Sequence, residues 1–195
     1  KSKASNSTNI IILADESFTY NRLTTLLEAK GNVLVEDKER EITIETEKFF
    51  YLKNKERFFT EGKTKVFIEK KYILDTKNLV FLPNQNLLFS EEKTTMDDSM
   101  RNNIYKLIDF KYLTDKEILK GSKVKIFTSN KKSDRDIFFF ENAFFNLRKN
   151  TFLAKDTKAK FHKTIFDNDK NDPRINSVAT YGDELNTYFD KAVFT

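Results

Sequence analysis

A unit of about 30 residues recurs along this chain, and every copy is written in strand-like, alternating residues. The clearest copy runs from Glu41 to Glu69. Ile42 and Ile44 point one way, Thr43 and Glu45 the other, which is the period-two pattern of a strand with one oily and one wet face. Phe49, Phe50, Tyr51 and Leu52 follow, aromatics and aliphatics that suit a pleated surface. Lys53 to Arg57 reads as a polar turn, Phe58 and Phe59 begin another strand, Glu61-Gly62-Lys63 turns it, and Val66 and Ile68 alternate again. Taking Gly31, Gly62, Glu92, Gly121 and Asp156 as equivalent turn positions, the steps are 31, 30, 29 and 35 residues. The last step carries an insertion around Lys131 to Asp136. A single rung cannot bury its own oily face, so stacked rungs must share one continuous core. The expectation is an all-β chain: a lead-in over 1–9 without structure, then one domain over 10–195.

Composition narrows the function. Only four Gly and two Pro are available, so Asn, Asp and Lys must make most turns. The Lys, Asn, Ile and Phe excess is what AT-rich coding produces, so the 20 Phe alone do not argue for a lipid site. The net charge of +5 is spread over interspersed signs, as in Glu36-Asp37-Lys38-Glu39-Arg40-Glu41, and not in the one-signed stripe of a nucleic-acid binder. There is no cysteine, so no disulfide framework, and no apolar run long enough for a membrane-spanning helix. The chain starts at Lys1 without Met and is expected to be a piece of a longer protein.

Along the chain, Ile10 to Ala14 reads as a first strand at an open edge. Ser17 to Lys30 fits either a capped helix ended by Gly31 or two strands; the register of later copies favours strands. Tyr72 to Asp75 and Leu79 to Leu82 restate the unit around a Pro83-Asn84-Gln85-Asn86 turn. Glu91 to Asn103 reads as a long loop. Ile104 to Leu113 alternates, Thr114 to Glu117 is a turn, and Ile137 to Leu147 is the most aromatic run. Phe161 to Phe166 closes the repeats, and the rest reads as more irregular, with Val193 and Phe194 as a cut strand.

No catalytic motif stands out. His162 is the only histidine and has no evident partner. Asp167 to Asp172 looks like a calcium loop but lacks the Gly and Glu of an EF-hand and reads as a polar hairpin loop. No catalytic residue, metal ligand or cofactor is assigned, and the chain is not expected to be an enzyme. What remains is an inward stripe: Ile42, Ile44, Phe49, Tyr51, Val66, Ile68, Leu79, Phe81, Phe110, Tyr112, Val124, Ile126, Phe138, Phe140, Phe145 and Leu147. It is either a dry core or the wall of an open groove that holds acyl chains, each buried CH₂ contributing roughly 0.8 kcal/mol.

Ala14, Phe18 and Tyr20, the Ala29-x-Gly31-Asn32-Val33-x-Val35 segment and its recurrence resemble the OstA-like domain of the lipopolysaccharide transport proteins LptA, LptC and the N-terminal part of LptD. The segments Phe139 to Ala143, Ala154 to Thr157 with Phe161 to Lys163, Asn171 to Ile175 and Lys191 to Thr195 resemble the longer periplasmic domain of LptD. The resemblance implies a β-jellyroll, a folded-over stack of antiparallel strands whose greasy interior conducts lipopolysaccharide. The sixteen stripe residues would then touch its acyl chains. It also implies an LptA-like bridge protein joined by strand addition at an edge strand, here Ile10, Ile11, Ile12, Leu13 and Ala14. An LptE-like lipoprotein would plug a C-terminal barrel, at the periplasmic face of a Gram-negative outer membrane. No barrel segment lies within these residues, nor do the cysteines that many LptD proteins carry near theirs. The alternatives are a stand-alone LptA-like bridge and a structural β-solenoid that binds no lipid.

Overall fold

The computed structural model describes residues 2–5, 10–128, 136–162, 173–183 and 185–195. The chain runs back and forth in antiparallel passes, each bent once near its middle. After β1 (Ser2–Ser5), the passes are β2 (Ile10–Ala14) with β3 (Ser17–Asn21), β4 (Leu26–Asp37), β5 (Ile42–Leu52), β6 (Arg57–Ile68), and β7 (Tyr72–Lys77) with β8 (Val80–Leu82). Then come β9 (Leu87–Ser90) with β10 (Thr94–Asp98), β11 (Asn103–Leu107) with β12 (Asp109–Leu113), β13 (Ile118–Phe127) and β14 (Ile137–Asn146). The last are β15 (Thr151–Lys160), β16 (Arg174–Gly182), and β17 (Thr187–Asp190) with β18 (Val193–Phe194). Two passes and their turns make one repeat.

The bends align into a crease, and the sheet doubles over on it. One half-sheet pairs β1, β2, the far part of β4, β7, β10 and β11 onward to β18. The other pairs β3, the near part of β4, β8, β9 and β12 onward to β17. The long strands cross the crease and belong to both halves. The result is the expected all-β jellyroll, with one hydrophobic cluster between the halves running from Ile10 to Ala154.

The glycines that anchor the repeat mark the crease, not the turns. Gly31 and Gly62 lie inside β4 and β6 at φ 79° and 85°, a region glycine enters without steric cost. Asp156 and Lys123 take the same left-handed conformation inside β15 and β13. In β5, β13, β14 and β15 the inward alternation skips one residue there, from Thr46 to Phe49 or Phe140 to Ala143, as a bulge demands. The true turns lie about half a pass away, and most end on a left-handed non-glycine residue: Thr25, Glu41, Glu56, Lys70, Asn86, Asn102, Glu117 and Asn150.

Over Ser17 to Lys30 the strands favoured by the repeat register are present, while other local expectations change. Ser17–Asn21 and Leu26–Asp37 are strands, and the side chain of Asn21 accepts from the N–H groups of Leu23 and Thr24 in the turn between them. The Glu91 to Asn103 loop contains β10, whose Met96 is buried at 1% exposure. Its polar neighbours hid a period-two strand, with Thr94, Met96 and Asp98 inward. Arg174–Gly182, Thr187–Asp190 and Val193–Phe194 are paired strands rather than irregular chain. Ser2–Ser5, expected to lack structure, pairs along β2 from Ser2↔Ala14 to Ser5↔Ile11. Ile10–Ala14 is therefore flanked on both sides and is not the open edge. Alternation inside it puts Ile10, Ile12 and Ala14 into the core. Residues 129–135 of the insertion and the Asp167–Asp172 loop lie outside the described residues.

Candidate functional site

The inside of the crease has room only for small side chains, and the sequence supplies them. Ala29, Thr46, Thr60, Thr64, Thr76, Ser90, Thr94, Ala143 and Ala154 are all buried there. Their hydroxyls bond to one another and to the backbone groups that the bend releases. Thr60 and Thr64 are 2.7 Å apart, Thr76 and Thr94 2.8 Å, and Thr60 Oγ1 accepts the Leu79 N–H at 2.9 Å. These threonines were missed in the sequence because they read as wet-face residues. The signal was their recurrence between oily pairs near the repeat glycines.

All sixteen stripe residues face the space between the half-sheets. Thirteen are buried, and Tyr51, Phe138 and Leu147 are partly buried against the same cluster. The space itself is not uniform. Around Ile42, Ile44, Phe49, Phe58 and Phe81 lies a gap of about 10 Å³, far too small for an acyl chain. The rings of Phe49, Phe58 and Phe81 stack in series at 5.6 and 6.0 Å between centroids. Here the seam opposite the crease is also shut. Arg40, in the turn after β4, reaches the Asn86 side chain at 3.3 Å and the Pro83 carbonyl at 3.4 Å, in the turn of the opposite half-sheet.

Toward the last passes the halves part. A cavity of about 310 Å³ opens between them, walled by Tyr105, Ile126, Phe138, Phe140, Phe145, Leu147 and Phe152. Five of these, Ile126, Phe138, Phe140, Phe145 and Leu147, belong to the stripe. Tyr105 and Phe152 do not, although Tyr105 packs edge-on against Phe145 at 5.4 Å and Phe152 lies 5.8 Å from Phe140. Both sit beside turns, where the alternation is short and easily missed.

The mouth is polar, with Arg101, Asn103 and Asp136 on one lip and Asn146, Asn150, Thr151, Asp183 and Thr187 on the other. Its charges are already engaged. The Arg101 guanidinium lies 2.8 Å from the buried carboxylate of Asp98. Asp136 accepts the His162 backbone N–H at 2.9 Å. The Leu185 and Asn186 N–H groups donate to Asp183 and hold its carboxyl below the usual carboxylate range. The site therefore presents an apolar wall behind amides, hydroxyls, one ion pair and carboxylates held by backbone N–H groups. It can hold an oily chain and hydrogen-bond a polar head. It has no evident nucleophile–base pair, and among the described residues no cluster of three metal-ligating side chains occurs.

Burial pushes the Tyr105 phenol up to about 12, a hydrogen bond with Asn103 working the other way. The folded state favours the neutral form. Its contribution is therefore complete below the unfolded value near 10 and is lost as pH rises through about 12. Two pH units correspond to roughly 3 kcal/mol. Urea midpoints taken across this alkaline range should fall in the native protein and fall measurably less in Tyr105→Phe. Equal slopes would mean that Tyr105 is not held neutral by the cavity wall.

No family profile matches the sequence, and no curated protein matches it. Among solved structures, a similar chain is LptH of Pseudomonas aeruginosa, described as the LptA-homologous periplasmic component of the lipopolysaccharide transport device. The two share 13% identity at a TM-score of 0.49, over 68% of this chain and 97% of that one.

Proposed function

We propose that this chain is a lipid-carrying jellyroll for lipopolysaccharide, holding an acyl chain in the cavity between its half-sheets. The observation that carries this reading is the opening itself. A core with no passenger has reason to close, yet aromatic walls part here around about 310 Å³ of space. That volume takes a chain of roughly ten methylenes if each is given about the 30 Å³ of a water molecule. The resemblance of its segments to the OstA-like domain supports lipopolysaccharide as the lipid. It also supplies the finer reading: a periplasmic LptD-like domain that receives lipopolysaccharide from an LptA-like bridge and passes it to a barrel with its LptE-like plug, at the periplasmic face of the outer membrane. A stand-alone LptA-like bridge uses the same interior. With β2 covered by β1, a bridge partner would add at β3 in one half-sheet and at β1 in the other, each paired on one side only among the described residues.

The packed passes around Phe49 favour a second reading for that half, a dry solenoid scaffold. Photocrosslinking separates them. A photoreactive residue replacing Phe138 or Phe152 should form lipopolysaccharide adducts, while one replacing Phe49 or Phe81 should form few until the Arg40 seam opens. Probes at outward-facing Glu45 and Lys111 serve as controls. No adducts at Phe138 and Phe152 in folded protein would leave the scaffold as the better account.

A further inference from the structure

On the outer face of the second half-sheet, one row of side chains runs across the strands to the last edge. Lys111 lies directly opposite Lys120, Lys120 opposite Phe144, Phe144 opposite Leu153, Leu153 opposite Tyr181, and Tyr181 opposite Tyr188. Five strand spacings of about 4.8 Å give a strip roughly 24 Å long. Its apolar members are unusually bare: Phe144 is 46% exposed, Leu153 55%, Tyr181 49% and Tyr188 52%. Beyond them, Leu185 stands 89% exposed at the tip of the β16–β17 hairpin. By contrast, the first passes of the same face carry Phe50 and Phe59, which are half-buried and stacked on each other at 4.9 Å.

Two lysines stand at the start of the row. Elsewhere on the sheet cross-strand lysines face acids, as Lys48 does Glu61 at 3.2 Å and Lys65 does Asp75 at 3.8 Å, or one another, as Lys63 does Lys77 and Lys106 does Lys125. Lys111 and Lys120 face each other, an arrangement that disfavours the sheet. Neither has an acidic partner among the described residues; Lys120 instead lies over the Phe144 ring at 5.1 Å. An anionic partner would relieve this repulsion.

We propose that this strip docks the protein on an anionic lipid surface. Phe144, Leu153 and the tyrosine pair enter the headgroup layer, and Lys111 and Lys120 meet lipid phosphates. Tyrosine suits such a boundary, with an apolar ring and a polar tip. The apolar majority of the row favours a bilayer over a nucleic acid, which would call for a continuous basic track. The mode is peripheral, and it is independent of what occupies the cavity.

The test uses the whole chain and vesicles of phosphatidylcholine, alone or mixed with equal parts phosphatidylglycerol. The chain has no tryptophan, so Tyr188→Trp provides a single indole at the edge of the strip. On the mixed vesicles its emission should shift to the blue and be quenched by brominated lipid, and added salt should reverse both. At about 1 kcal/mol per lysine near an anionic surface, Lys111→Gln with Lys120→Gln should lower partitioning roughly 30-fold. Lys48→Gln with Lys65→Gln removes the same net charge elsewhere and should change it little. Equal binding to neutral vesicles, equal losses in both double variants, or vesicle binding without quenching would each overturn the proposal. So would an indole already shielded in vesicle-free protein of doubled mass, which would assign the strip to a second copy of the chain.

Discussion

Phe49→Ala should cost this protein about 4 kcal/mol of stability, near the middle of the range for emptying a buried aromatic site. Phe49 is fully buried, its ring stacks on Phe58 at 5.6 Å, and it lines a gap of only about 10 Å³. The site cannot collapse to refill the lost volume, because four passes and the Arg40 contacts across the seam hold the two half-sheets at a fixed separation. Phe152→Ala, at the partly open cavity, removes the same atoms from a place that already touches space, and should cost about half as much. Urea denaturation of both variants measures the difference. Equal losses would mean that the interior is packed alike along its length, and the division into a closed and an open half would fail.

Asp98→Ala should be comparably severe, about 3–5 kcal/mol, because it leaves one partner of a largely buried ion pair behind. The carboxylate is 2% exposed, and one oxygen lies 2.8 Å from Arg101 Nη1. The other accepts the Met100 and Arg101 backbone N–H groups at 3.1 Å, forming the turn that carries one lip of the cavity. Truncation therefore releases a guanidinium at the cavity mouth and removes the acceptor of two turn amides together. Asp98→Asn keeps an oxygen for those amides and should cost clearly less. The same construction recurs two repeats earlier in Asp37 and Arg40, with the ion pair at 2.9 Å. There the arginine also reaches the opposite half-sheet, and here it borders the opening. A loss below about 1 kcal/mol in Asp98→Ala urea curves would show that solvent screens the pair and that it does not hold the lip.

Much of this was legible in the chain because strand faces are written in period two. The sixteen stripe residues are legible from alternation within each short run, and their parity shifts between Ile44 and Phe49 and between Phe140 and Phe145 because a separate run lies on each side of the crease. The lipid reading came from segment resemblance, and alternation could not supply it, since a dry core and a greasy groove use the same residues. The strand at Thr94–Asp98 reads as a loop in the sequence because threonine and aspartate face inward there, and polarity ordinarily marks exposure. Asp98 is buried with its arginine, and Thr94 with Thr76.

The sequence by itself determined that the chain is built of antiparallel passes with one oily face, repeated about every 30 residues. That follows from backbone geometry, because a pleated strand sends alternate side chains to opposite sides whatever it packs against. Only the tertiary structure decided where each pass bends. The repeat glycines serve the crease and not the turns, because a turn and a mid-strand bulge make the same demand for left-handed backbone. The tertiary structure also decided that the two half-sheets meet tightly at Phe49 and part at Phe140. That separation depends on what reaches across the seam, such as Arg40 to Asn86, and contacts between residues 46 positions apart leave no periodic trace.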